Sequence, residues 1–156
     1  MIDQRLTEII DCLYRVAVKA VIVRDGKLLL SKEEVKNHPE LKLRGFPGGG
    51  IDYGEDFQKG LMRELREELH LNIKPEQISE QPIQVSFGKL TDGKFSENRN
   101  IPTILFYYSV KLSENQQSTA GENDFEWVDV RQLEKVNFVS QTANDREFLI
   151  NYLNDK

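Results

Sequence analysis

The segment DFQKGLMRELREELH, residues 56 to 70, sits between runs rich in β-formers, and it constrains the fold most. Phe57, Leu61, Leu65 and Leu69 recur every four residues, and Asp56 just before them is a good N-cap. That spacing predicts one amphipathic helix ending near His70, with Pro75 soon after forbidding a long continuation. A helix with a single apolar stripe needs a surface to pack on. The flanking segments RVAVKAVIVR, KLLLSKE, PIQVSFGKL, IPTILFYYSVKL and FEWVDV read as the strands that supply it. Asp25-Gly26 between the first two is a strong hairpin signal. Helical patterns around RQLEKV and TANDREFLINYLND close the chain. Strands and helices so intermingled predict an α/β or α+β fold, a sandwich around a central mixed sheet.

Residues 1 to 14 place Ile2, Leu6, Ile9, Ile10 and Leu13 at helical intervals, which predicts a short N-terminal helical extension. The stretch from Glu34 to Arg44, TDGKFSENRN and SENQQSTAGEN are expected to be loops. The chain of 156 residues has the size of one domain, and no repeat, linker or low-complexity tract divides residues 1 to 156.

Composition excludes several classes. The net charge of -5 argues against binding duplex nucleic acid or an anionic membrane through concentrated basic charge. The run VAVKAVIV is broken by Lys19 and is far shorter than a membrane span, and MIDQRLTEIID lacks the basic and apolar stretches of a secretory signal. The sole cysteine, Cys12, cannot form an internal disulfide framework, so the cytoplasm is the expected compartment.

The chemistry sits on the predicted helix. With Phe57 at zero, the apolar residues span roughly 0° to 140°, and Glu64, Glu67 and Glu68 fall near about 340°, 280° and 20°. All three acids therefore border the core stripe. Two carboxylates about 6 Å apart repel by roughly 0.7 kcal/mol in water but about 3 kcal/mol at an effective dielectric near 20. At a cleft edge such a cluster needs compensating charge. Arg63, four residues before Glu67, is placed to supply some of it, and a divalent metal would satisfy all three acids. Arg66 faces away. Taken alone, the charge run is compatible with an ordinary solvated face, and FPGGG with an ordinary turn.

Together, Gly49, Glu55, Arg63, Glu64, Leu65, Glu67, Glu68, His70 and Leu71 resemble the Nudix box, GX5EX7REUXEEXGU, at every specified position but one. The box covers residues 49 to 71, and Phe46-Pro47-Gly48 extends the resemblance. The departure is His70 in place of glycine, read as a structural substitution at a left-handed cap.

Membership of the Nudix hydrolase family would imply an α/β/α sandwich and hydrolysis of a pyrophosphate linkage by water attack on phosphorus, with Mg²⁺, or Mn²⁺ in its place. The resemblance assigns metal ligation to Glu64, Glu67, Glu68 and the Gly48 carbonyl. It makes Arg63 and Glu55 an orienting pair and puts a further catalytic glutamate at Glu122, or at Glu97 as the weaker match. The substrate would be a small nucleotide: a nucleoside diphosphate derivative or a nucleoside triphosphate. Oxidised triphosphates, ADP-ribose, dinucleoside polyphosphates and nucleotide sugars all stay open. The alternative from another class is a catalytically silent nucleotide-sensing module. Isoprenoid diphosphate isomerisation is a further option, disfavoured because Cys12 lies upstream in the predicted N-terminal helix and no obvious paired Cys and Glu constellation is present. A homodimer is compatible with the sequence, which leaves oligomeric state open. Phe87, Phe106, Tyr107 and Tyr108 are candidate base-stacking groups, more readily explained as core, with Tyr107 facing opposite to Phe106 and Tyr108. Arg15, Arg44 and Arg99 are candidates to touch phosphate, but each reads individually as an exposed charge.

Overall fold

The computed structural model describes residues 14–33, 40–90, 101–117, 124–139 and 143–155. Among the described residues, seven strands and two α-helices follow in the order β1 (Arg15–Arg24), β2 (Lys27–Glu33), β3 (Leu43–Gly45), α1 (Phe57–Leu69), β4 (Gln84–Leu90), β5 (Ile101–Val110), β6 (Phe125–Asp129), β7 (Asn137–Phe138) and α2 (Ala143–Asn154). Short 3-10 turns lie at Pro75–Gln77 and Val130–Lys135. The sheet is mixed and runs β4-β5-β1-β2-β3-β7, with β6 also paired to β2. β1 and β5 are parallel through eight aligned residue pairs, from Arg15–Thr103 to Ile22–Val110, whereas β4 pairs with β5 antiparallel.

Alternation in β1 explains the layers. Val18, Ala20 and Ile22 face one side of the sheet and pack with Leu61, Leu65 and Leu69 of α1. Ala17 and Val21 face the other side, in a cluster that contains Phe46, Tyr107, Leu133, Phe138 and Leu149 of α2. The result is the α/β/α sandwich expected from the sequence. β5 divides likewise: Tyr108 joins the α1 side and Tyr107 the α2 side.

The hairpin forms at Asp25-Gly26, with φ of 51° and 71° at the two turn residues. Both values suit the tight turn that matches strand twist. β1 and β2 stay paired only beside this turn, at Val23–Leu28 and Arg24–Lys27, and then part. The edge of β1 that β2 vacates is taken by the glycine loop. Val18 N–H donates to Gly49 O at 2.9 Å, Ala20 N–H to Pro47 O at 2.8 Å, and Ile51 N–H to Val16 O at 3.2 Å. Strands β3 and β7 were not foreseen from sequence. They are three and two residues long, and strands that short carry too little alternation to reveal themselves.

The helix begins and ends where its pattern predicts. Asp56 accepts from Lys59 N–H at 2.8 Å at the N-cap. At the other end His70 adopts φ 54°, its N–H donates to Arg66 O, and Leu71 N–H reaches back to Leu65 O at 3.2 Å. The 5→1 bond from His70 marks an αL ending with a histidine in the left-handed position, and Leu71 follows into the same core cluster as Leu65. The predicted N-terminal helix, residues 1 to 14, lies outside the described residues except for Tyr14, which is exposed. Among the described residues no helix is long and apolar enough to cross a membrane.

A non-glycine residue pays about 1 kcal/mol for the left-handed conformation. His70→Gly is therefore expected to raise stability by roughly 0.5–1 kcal/mol in urea unfolding. A loss of stability would show that the imidazole itself holds the turn.

Candidate metal and pyrophosphate site

Gly48 is required by geometry. Its φ is 116°, and a Cβ there would overlap the Val18 carbonyl oxygen of β1. Gly49 faces the helix instead: a Cβ there would stand 2.7 Å from the Glu64 carboxylate. The absent side chains thus let the loop lie flat between β1 and α1. Gly48 N–H donates to Glu68 Oε2 at 2.8 Å, which joins loop to helix from one end.

Arg63 joins them from the other. Its Nε donates to Glu55 Oε1 at 3.0 Å, and its Nη2 to Glu55 Oε2 and to the Gly50 carbonyl, both at 2.9 Å. Nη1 donates to Glu64 Oε1 at 2.8 Å and reaches Glu67 Oε2 only at 3.4 Å. Sequence pointed to the pairs with Glu55 and Glu67. It did not reveal the Gly50 carbonyl, which only the folded loop brings to the guanidinium. The fork geometry matches the Glu55 carboxylate with two bonds. These bonds to Glu55 are the main reason the guanidinium is pushed above the ordinary arginine value, and the same bonds hold the Glu55 carboxyl below the usual carboxylate range.

The three helix acids differ in position. Glu64 is only 15% exposed and lies under Gly49, whereas Glu67 is 56% exposed and turns toward solvent. Glu68 is partly buried, and burial pushes its carboxyl above the ordinary value against the opposing effects of the Gly48 N–H and Lys19. The donor set is all oxygen, two carboxylates and a loop carbonyl around the glycine turn, and it suits a hard divalent cation such as Mg²⁺. Among the described residues no three acidic, histidine or cysteine side chains are gathered as a ready-made metal site. Two of these oxygens are engaged by cationic side chains of the chain itself: Arg63 donates to Glu64, and Lys19 to the Gly48 carbonyl.

Lys19 was seen in the sequence only as a break in an apolar run. Its Nζ donates to the carbonyls of Phe46, at 3.2 Å, and of Gly48. Burial pushes it below the ordinary lysine value, opposed foremost by Glu68. Arg15 is a second basic neighbour, its guanidinium 3.1 Å from where a Gly50 Cβ would stand. Arg44 is not the exposed charge its sequence context indicated. Its side chain is 16% exposed and pairs with Glu126, tying β3 to β6 across β2. Glu122, Glu97 and Arg99 lie outside the described residues.

Of the aromatic candidates, Tyr107 and Tyr108 are core, each 4% exposed. Phe106 is partly buried and meets Phe57 at the start of α1, ring centroids 4.6 Å apart. Phe87 stands out, 63% exposed on β4.

Residues 13–152 match the NUDIX domain model, and the chain belongs to that family. A stretch of 56 residues is 39% identical to an ADP-ribose pyrophosphatase of Methanocaldococcus jannaschii, covering 36% of this chain and 32% of that enzyme. The matched part is thus about a third of that relative's length. Among solved structures, the E. coli ORF135 protein superposes with a TM-score of 0.64 at 20% identity, over 90% of this chain and 89% of that one. The NUDIX domain of Shewanella oneidensis NrtR, solved with ADP ribose, gives 0.60 at 21% identity over 90% and 89%. These likenesses establish a mixed α/β Nudix fold.

Arg63→Met removes charge-assisted bonds to Glu55, Glu64 and the loop together, and is expected to cost about 1.5–3 kcal/mol in chemical denaturation. Because the folded Glu55 carboxyl is depressed, its contribution is complete above the ordinary carboxylate value and is lost as pH falls through the folded one. The stability advantage of the wild type over Glu55→Gln should therefore hold from about pH 7 to about pH 5 and shrink as pH falls further, below the ordinary carboxylate value. An advantage independent of pH would mean that Glu55 acts by packing, not charge.

Proposed function

We propose that this chain is a Mg²⁺-dependent Nudix pyrophosphohydrolase that cleaves the anhydride linkage of a nucleoside diphosphate derivative. The observation that carries the proposal is the convergence of Glu64, Glu68 and the Gly48 loop on one small oxygen-rich surface, clamped by Arg63. Glu64, Glu67 and Glu68 with the Gly48 carbonyl would hold the metal. When bound, the metal would supply a lowered water pKa and charge neutralisation at the phosphoryl oxygens.

The chain's own residues divide the remaining work. Arg63 orients Glu64 and keeps the loop carbonyls in place, so it is a positioning residue that need not touch substrate. Glu67, exposed and only weakly engaged by Arg63, is free to turn toward the site. A helix glutamate or Glu122 would accept the proton of the attacking water. Water oxygen bonds to phosphorus as the P–O–P bridge breaks, releasing a nucleoside monophosphate and the phosphorylated remainder. With a triphosphate the second product would be pyrophosphate. ADP-ribose is the first substrate to try, because one relative carries that activity in its name and one structural neighbour was solved with that ligand.

The test is a panel of ADP-ribose, nucleoside triphosphates, dinucleoside polyphosphates and nucleotide sugars with Mg²⁺, following phosphate-containing products. Glu67→Gln and Glu68→Gln are each expected to lower turnover by about a hundredfold or more on any working substrate while leaving the circular dichroism spectrum unchanged. Wild-type turnover in either folded variant would refute the metal assignment. Binding without product across the panel would favour a nucleotide-sensing module instead.

A further inference from the structure

Lys19 is the one basic residue inside VAVKAVIV, and its neighbours on the same face of β1, Ala17 and Val21, are buried and apolar. Its charged end does not escape to solvent. The Nζ instead turns under the glycine loop and donates to the carbonyl oxygens of Phe46 and Gly48. The carboxylates acting on it most strongly are Glu68, then Glu33, then Glu64, and Arg15 is the cation that opposes them. Glu68 in turn accepts from Gly48 N–H. The ammonium thus holds the same loop carbonyl that the proposed function gives to a divalent ion, on the residue whose N–H is held by Glu68.

A carbonyl oxygen has two lone pairs, so sharing is sterically conceivable. Charge argues against it. Two cations on one oxygen would lie only about 4 Å apart, and in a half-buried place their repulsion is far larger than in water. We propose that Lys19 is a resident cation of the metal site, which holds the Gly48 carbonyl when no metal is bound and must be displaced by a divalent ion that ligates it. This inference rests on the metal assignment made above and adds a competitor built into the chain. It also makes metal affinity a property that one strand residue tunes from outside the Nudix box.

The test is Mn²⁺ binding to the full chain, read from the electron paramagnetic resonance signal of free Mn²⁺, for the wild type, Lys19→Met and Lys19→Gln. Methionine keeps the length of the side chain and removes the charge. Glutamine keeps a donor for the Gly48 carbonyl, and provides the reading should Lys19→Met fail to fold. Both substitutions are expected to tighten Mn²⁺ binding about tenfold or more, because each removes a cation from the site. A lysine with a merely structural role would, when replaced, leave the affinity equal or weaker, and either result overturns the proposal. Glu68→Gln separates the two readings. If it abolishes Mn²⁺ binding while the Lys19 variants bind like wild type, only the competition is refuted. If Mn²⁺ binds none of these proteins, or binds all of them alike, Glu68→Gln included, the metal assignment falls with it.

Discussion

The parting of β2 from β1 beyond the hairpin leaves N–H groups along half of a central strand without a strand partner. Unpaired backbone donors in a sheet interior are costly, and the glycine loop answers them with the carbonyls of Gly49 and Pro47. Everything distinctive about the site follows from that docking. The loop can lie against β1 only because Gly48 has no side chain to strike the Val18 carbonyl, and it can lie under α1 only because Gly49 leaves room for Glu64. Its Gly48 N–H and Gly50 carbonyl then meet Glu68 and Arg63 of the helix, while the Phe46 and Gly48 carbonyls meet Lys19 of β1.

The helix is held by different forces on its two faces. Leu61, Leu65 and Leu69 are fully buried against β1 and fix its axis and depth. The polar face takes its order from Arg63, whose fork engages Glu55, Glu64 and Gly50 together. A carboxylate cluster that would repel itself at a cleft edge is thereby kept in place by cations from within the chain, one from α1 and one from β1. This charge balance allows an acidic protein to maintain a concentrated acidic site beside its core.

Much of this was legible in the residues. The period of four in Phe57 to Leu69, with Asp56 before it, located α1 and its cap, and the alternation in β5 separated Tyr107 from Tyr108, because both patterns repeat the geometry that produces them. His70 at a left-handed position was legible for the same local reason. β3 and β7 were not, since two or three residues hold no period. The half-buried Arg44–Glu126 pair was hidden because its members are far apart in sequence and meet only when β2 brings β3 and β6 to its opposite edges.

By itself the sequence determined the family, the box and the helix that carries it, because these depend on spacing within short segments and on residue types that few other arrangements require. The tertiary structure decided how the three acids differ. Glu64 is drawn under the loop and Glu68 is pulled to the Gly48 N–H, contacts that helical phase does not contain, whereas Glu67, the farthest of the three from the apolar stripe, is left in solvent. It also decided the role of Lys19. In the sequence this residue only interrupts an apolar strand, but the fold carries the loop across β1 and brings two carbonyl oxygens to its ammonium. Contacts between segments so distant in sequence leave no periodic trace, and physics expresses them only once the chain has closed.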